Sequence, residues 1–310
     1  MVHRLRLVQQ LGRCLASAAL LLVCAPVFAQ ETFDNPDAAV KALVAAAKTG
    51  NREEIAKILG PDSADVISSG DAVADRNAGE IFIEAFEEMN GLEPEGDDTT
   101  ILVVGEDNWP FPIPLVKNEG TWAFDTEAGL EEILLRRIGR NELSAMQASL
   151  AYVVAQSEYA GLNVDGRSPP PYAQRFLSSS GEKDGLYWPS DDSANESPLG
   201  ALFAEASDEG YEFSDRPTPY HGYYYRILKR QGDEAKGGAF DYVVDGRMIG
   251  GFGLIAYPAQ YGNSGIMTFM VNHDGVLYET DLGPDTAEIA AEIEDFDPDN
   301  TWKVVEPPSE

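Results

Sequence analysis

Two histidines, a large population of carboxylates and one evenly spaced acidic run are the groups in this chain that could do chemistry. His221 and His273 are the histidines outside the N-terminal segment, and imidazole is the side chain whose proton moves most readily near neutral pH. Joined by a neighbouring acid such as Asp241 or Asp274, they would supply the acid and base of a hydrolase. Each also fits an ordinary hydrogen-bonded role, His221 ahead of a strand and His273 in a turn. Among 53 acids, adjacent pairs such as Glu131 and Glu132 arise from composition alone and do not mark paired-carboxylate catalysis. The chain has no Gly-x-Ser-x-Gly elbow, no phosphate loop and no His-Glu-x-x-His helix, and Gly262-Asn263-Ser264-Gly265 reads as turn chemistry.

The spaced acids lie near the C-terminus. Asp295, Asp297, Asp299, Thr301 and Glu306 follow the ligand spacing of a calcium loop, with Trp302 at its apolar position. Asn300 stands where that loop needs glycine, and Pro307-Pro308 forbids an exiting helix. A turn followed by a short strand over 302–305 is the competing structure. No residue pattern implies an organic cofactor.

Residues 1–29 read as a signal peptide. His3, Arg4, Arg6 and Arg13 precede the apolar run Leu15 to Phe28, and Val27-Phe28-Ala29 offers a peptidase site before Gln30. Leu21-Leu22-Val23-Cys24 departs from a lipidation box because Val23 is large. Both cysteines, Cys14 and Cys24, fall inside this segment, so the exported chain is expected to lack disulfides, thiolate ligands and a cysteine nucleophile. Removing three arginines and no acid takes the net charge from −31 to about −34. Such a chain repels nucleic-acid phosphates and anionic lipid surfaces. Its 44% hydrophobic content still permits genuine cores.

The elements that would carry these groups fall into an α+β pattern with two domains. Over 30–139, helices are expected after Asn35-Pro36, from Glu53 to Leu59, near Ala78 to Met89 and from Glu127 to Ile138. Strands are expected at Thr100 to Gly105, Phe111 to Lys117 and Thr121 to Phe124. Over 140–283, a long amphipathic helix from Glu142 to Ala160 precedes a Pro-, Ser- and Gly-rich loop at 163–219, read as a wrapping segment with a short helix at Pro198 to Ala206. An antiparallel meander follows, whose last two strands meet at Asp274-Gly275. Residues 284–310 read as an acidic tail. Tyr220, Tyr223 and Tyr225 suggest an exposed aromatic surface for a partner.

The helix-then-meander order of the first domain resembles nuclear-transport-factor-2-like domains. The second, with its Phe269-x-Val271-x-x-Asp274-Gly275-Val276-x-Tyr278 hairpin, is similar to the globular head of type IV pilins and pseudopilins. Its long helix is internal and amphipathic, so assembly as a pilin is not implied. More closely, Pro219-Tyr220-His221-Gly222-Tyr223-Tyr224-Tyr225-Arg226, Gly250-Gly251-Phe252, Thr268 to Gly275, Arg140-Asn141-Glu142 and Asp297 to Trp302 resemble the bacterial domain of unknown function 2950. That resemblance spans the exported chain and implies an exported protein, with no activity attached.

The sequence therefore points to an exported, non-catalytic binding or scaffolding protein of the cell envelope that meets a protein or glycan, with candidate binding residues Tyr220, His221, Tyr223, Tyr225 and His273. An envelope-polymer hydrolase and a calcium binder are the alternatives. A hydrolase requires the histidines to share a cleft with acids; a scaffold requires them apart.

Overall fold

The computed structural model describes residues 30–190, 196–214 and 217–305. The expected signal peptide and Glu306 of the calcium template lie outside the described residues. The fold is α+β.

The first part opens with α1 (Pro36–Thr49), whose N-cap Asn35 accepts from the Ala38 N–H and whose chain direction reverses at Gly50. After α2 (Arg52–Leu59) and α3 (Ala64–Ile67) comes α4 (Ala72–Glu88), which starts six residues before the apolar spacing suggests. The reason is Asp71, whose carboxylate caps the Val73 and Ala74 N–H groups. Strands β1 (Asn90–Pro94), β2 (Thr99–Val104), β3 (Trp109–Pro110), β4 (Leu115–Asn118) and β5 (Thr121–Phe124) form an antiparallel sheet in the order β1-β2-β4-β5, with β3 beside β2. Ala39, Leu43, Ile58, Leu102, Ile113, Leu115 and Phe124 seal the core between α1, α2 and this sheet.

The two helices expected over 127–138 and 142–160 are one, α5 (Thr126–Leu162). Gly139 meets open space and needs no positive φ, so it costs only helix propensity and does not break the rod. The boundary expected between 139 and 140 thus falls within a helix shared by both parts.

Beyond α5 lie the long loop with α6 (Gly200–Asp208), then β6 (Tyr223–Leu228) and two short ribbons: β7 (Arg230–Gln231) with β8 (Phe240–Asp241), and β9 (Val243–Val244) with β10 (Arg247–Met248). Strands β11 (Gly253–Pro258), β12 (Met267–Asn272) and β13 (Leu277–Asp281), helix α7 (Thr286–Glu292) and β14 (Lys303–Val304) complete the chain. The main sheet is antiparallel in the order β14-β13-β12-β11-β6.

Period-two alternation gives this sheet two covered faces. Leu254, Ala256, Phe269 and Val271 face α5, while Ile255 and Met270 face Ala290 and Phe296. The segment after 284 is therefore no loose tail: α7 and Phe296 close the second face, and β14 pairs with β13. No helix among the described residues is long and apolar enough to cross a membrane.

Candidate functional site

The histidines sit at opposite ends of the main sheet. His221 precedes the Tyr223 end of β6, whereas His273 follows Asn272, which pairs with Gly253 and through it with Leu228 at the other end. Six residues of strand between them amount to about 20 Å. Among the described residues the His221 ring hydrogen-bonds to Glu209 alone, Nε2 to Oε2 at 2.6 Å. Among the described residues no hydroxyl is hydrogen-bonded to the ring as a nucleophile would be. His273 stands edge-on to Tyr242 and Phe252 and is exposed.

The acids of the calcium template diverge. Asp295 pairs with Arg230, Asp297 accepts the Glu234 and Ala235 N–H groups at 2.8 and 3.0 Å, and Asp299 accepts from Thr301 N–H and Oγ1. These bonds hold Asp299 below its ordinary carboxylate range, the hydroxyl bond contributing most. Each carboxylate fastens a different piece of backbone or side chain. No three His, Cys, Asp or Glu side chains converge as a metal would require among the described residues. A hollow of about 470 Å3 between α4 and the end of α6 carries Glu80, Glu84, Asp208 and Glu209 beside Arg76, and it is open to water.

The tyrosines form an interior wall where an exposed patch is expected. Consecutive residues of a strand alternate faces, so Tyr223 and Tyr225 turn toward α5 while Tyr224 packs on Tyr257 across the sheet. Tyr223 is 0% exposed and its hydroxyl donates to the Met267 carbonyl at 2.9 Å. Tyr225 and Tyr220 border a cavity of about 170 Å3. Its floor is Leu254 and Tyr225 of the sheet, and Ala148 and Tyr152 of α5 form one side. The long loop supplies the rest: Phe176 and Leu177, then Leu199, Leu202, Phe203 and Ala206 about α6, then Tyr211, Phe213 and the Pro217-Thr218-Pro219 run. Phe203 is clamped between Tyr187, stacked at 4.3 Å, and Phe213 at 4.1 Å, which stiffens that wall.

One polar group in this lining has no protein partner. The Tyr225 hydroxyl oxygen is buried and makes no hydrogen bond among the described residues. Neighbouring hydroxyls are satisfied, Tyr152 donating to the Gly253 carbonyl at 3.1 Å and Tyr211 to Asp71 at 2.9 Å. Burial, aided by Tyr220 and the Asp71 charge, pushes the Tyr225 phenol well above its ordinary value. Tyr220 is raised the same way, by burial and then by Glu209 and Glu205. These phenols stay protonated donors.

Behind the cavity lies the joint between the two parts of the molecule. Asp71, 1% exposed, accepts the Tyr211 hydroxyl and the Gly222 N–H, both at 2.9 Å, besides capping α4. Gly222, at φ 76°, packs so closely on Asn141 that no side chain fits. Asn141 donates to the Ser264 carbonyl at 2.9 Å, Glu142 accepts the Ile266 and Met267 N–H groups, and Arg137 bonds to Asn263 and to the Asp65 and Val66 carbonyls. Thus Asn141, Glu142, Gly222 and the 262–265 turn are structural fasteners.

Sequence reasoning brings out Tyr220 and Tyr225 but misses Phe203, Tyr211 and Phe213. The available signal was a set of large aromatics without periodicity inside a Pro- and Ser-rich loop, which needs somewhere to bury them.

No curated protein and no solved structure matches this chain. A family model described as protein of unknown function (DUF2950) matches residues 30–305. The fasteners at Asn141, Gly222 and 262–265 hold together a fold that this match covers almost end to end, and the chain belongs to the DUF2950 family.

Proposed function

We propose that this is an exported, non-catalytic binding protein whose site is the aromatic cavity between α5, α6 and β6. The observation that carries the reading is the cavity itself, about 170 Å3, open to water and lined chiefly by apolar and aromatic side chains, among them Phe176, Phe203, Phe213 and Leu254. Apolar side chains wetted in an open pocket favour a ligand that removes them from water. The separation of His221 from His273 supports binding over hydrolysis, because the groups a hydrolase would use share no cleft.

Thermal unfolding with and without small apolar ring compounds tests this. Binding to the native state alone raises the melting temperature, by several degrees at a hundredfold excess over Kd. Ala206→Leu, placed in the cavity wall, is expected to stabilise the protein and abolish that rise. Failure of every ring compound to shift the transition would refute the reading.

A further inference from the structure

We infer that the outer edge of β6 receives a short, extended, basic segment of another protein as an added antiparallel strand, one apolar side chain of which enters the aromatic cavity. The last clause rests on the binding reading above; the edge stands on its own observations.

β6 ends the main sheet, with β11 on one side and no strand on the other. Along a strand, the N–H and C=O groups of successive residues point to opposite edges. Tyr223 exchanges both of its bonds with Tyr220, at 2.9 and 3.1 Å, and the Lys229 carbonyl accepts the Tyr242 N–H at 2.9 Å. Tyr223 and Lys229 therefore point away from β11, and so do Tyr225 and Ile227 between them. Pro258, which has no N–H to give, stands opposite Tyr223 and agrees with this phase. The N–H and C=O groups of Tyr225 and Ile227 make no backbone hydrogen bond on this outer side among the described residues. Neither residue is buried, and backbone groups shut away from water are nearly always paired, so this edge is open to a partner.

The chain does not fill the gap itself. Were the Tyr220–Tyr223 hairpin to continue, Thr218 would stand opposite Tyr225, but prolines flank it on both sides and no bond forms between the two. Pro217, Thr218 and Pro219 instead line the cavity that Tyr225 borders. Other sheet edges are protected. β1 carries Glu93 and Pro94, β14 is two residues long with Lys303, and β5 is covered by Phe33 bonded to Trp122. The open stretch of β6, Tyr224 to Leu228, is about 17 Å of Tyr, Arg, Ile and Leu with no such device, since Arg226 is tied to the Ala290 carbonyl.

Facing residues of an antiparallel pair share a face of the sheet. The residue opposite Tyr225 thus turns its side chain toward α5, where Leu254, Phe213 and Tyr152 line the cavity. Charge selects the partner. The chain carries −31, and Glu80, Glu84, Asp208 and Glu209 line the hollow beside His221 at the start of β6. A second copy of this chain is repelled and a basic segment is attracted.

The test uses the pentapeptide acetyl-Lys-Thr-Val-Phe-Lys-amide, titrated to millimolar concentration into the purified protein, and two forms of it N-methylated at Phe or at Val. With Phe opposite Tyr225, its N–H faces β6 and the Val N–H faces solvent. Methylation at Phe should weaken binding about tenfold or more and methylation at Val should leave it nearly unchanged. Amide exchange at Tyr225 and Ile227 should slow about tenfold with the unmodified peptide, which insertion of a side chain into the cavity alone would not produce. Equal affinities of the two methylated forms, or unchanged exchange at both amides, would overturn the inference. So would a peptide-free dimer in which these amides are already protected. Binding of ring compounds without binding of the peptide would overturn the inference and leave the cavity reading standing, whereas peptide pairing without ring binding would remove the cavity from it.

Discussion

The part of the chain before α5 and the part after it bury similar apolar residues to different ends. Residues 30–125 contain neither tyrosine nor histidine; all thirteen tyrosines lie from Tyr152 onward. The first core, built from Ala, Val, Leu, Ile and Phe, has no polar tips to satisfy and closes completely around Leu102, Ile113 and Leu115. The second must find an acceptor for each buried phenol. It does so for Tyr152, Tyr159, Tyr211, Tyr223 and Tyr242 through Gly253, Lys183, Asp71, Met267 and Gln231. Tyr225 is the one left over: its ring borders the cavity while its hydroxyl is sealed from solvent. A tyrosine-rich core must place a polar tip for each ring it buries, a demand that an all-hydrocarbon core does not make.

The largest effect on this contrast should come from Asp71, the carboxylate that ties the parts together. Asp71→Ala removes the α4 cap, worth about 1 kcal/mol. It also strands the Tyr211 hydroxyl and the Gly222 N–H, at about 1–3 kcal/mol each. A loss of about 4 kcal/mol in urea unfolding is expected, with Trp122 and Trp188 then reporting separate transitions. A single unchanged transition would show that the joint lies elsewhere.

Alkaline pH should distinguish the parts next. Burial pushes Tyr159 and Tyr242 up to about 12 and the phenols of Tyr152, Tyr211, Tyr220, Tyr223 and Tyr225 higher. In the unfolded chain a tyrosine titrates near 10. Below about pH 10 both states keep the proton and stability is complete. Above it the unfolded state loses protons first, so stability falls by about 1.4 kcal/mol per pH unit for each phenol the fold keeps neutral. Emission from Trp188 should therefore shift at lower pH than emission from Trp122. Coincident shifts would mean that the tyrosine-rich part is not the weak one.

The smallest effect should be confined to the first part. Asn35→Ala deletes the cap that accepts the Ala38 N–H and should cost about 1 kcal/mol in unfolding without altering ring binding. A change in binding there would erase the division of labour between the parts.

Much of this was legible in the sequence because it is local. Alternation through Leu254-Ile255-Ala256 and Phe269-Met270-Val271 gives strands with two buried faces, and Asp274-Gly275 closes the hairpin, with the Gly275 N–H bonded to the Asn272 carbonyl. The same alternation, applied to Tyr223-Tyr224-Tyr225, would have turned two of the three inward. Strand β1 escapes notice because Asn90-Gly91-Leu92-Glu93-Pro94 has turn composition and takes its structure from pairing with β2. The single helix α5 escapes because Gly139 resembles a stop, although packing on both parts outweighs its propensity. The cavity was illegible because Ala148, Phe203, Tyr225 and Leu254 meet only through tertiary packing, and no spacing along the chain encodes that meeting.

The most direct measurement is a crystal structure of the purified protein soaked with bromobenzene, read from the anomalous signal of bromine. Our account predicts one bromine peak inside the cavity, among Phe203, Phe213 and Tyr220. Bromine bound only outside the cavity would contradict the account.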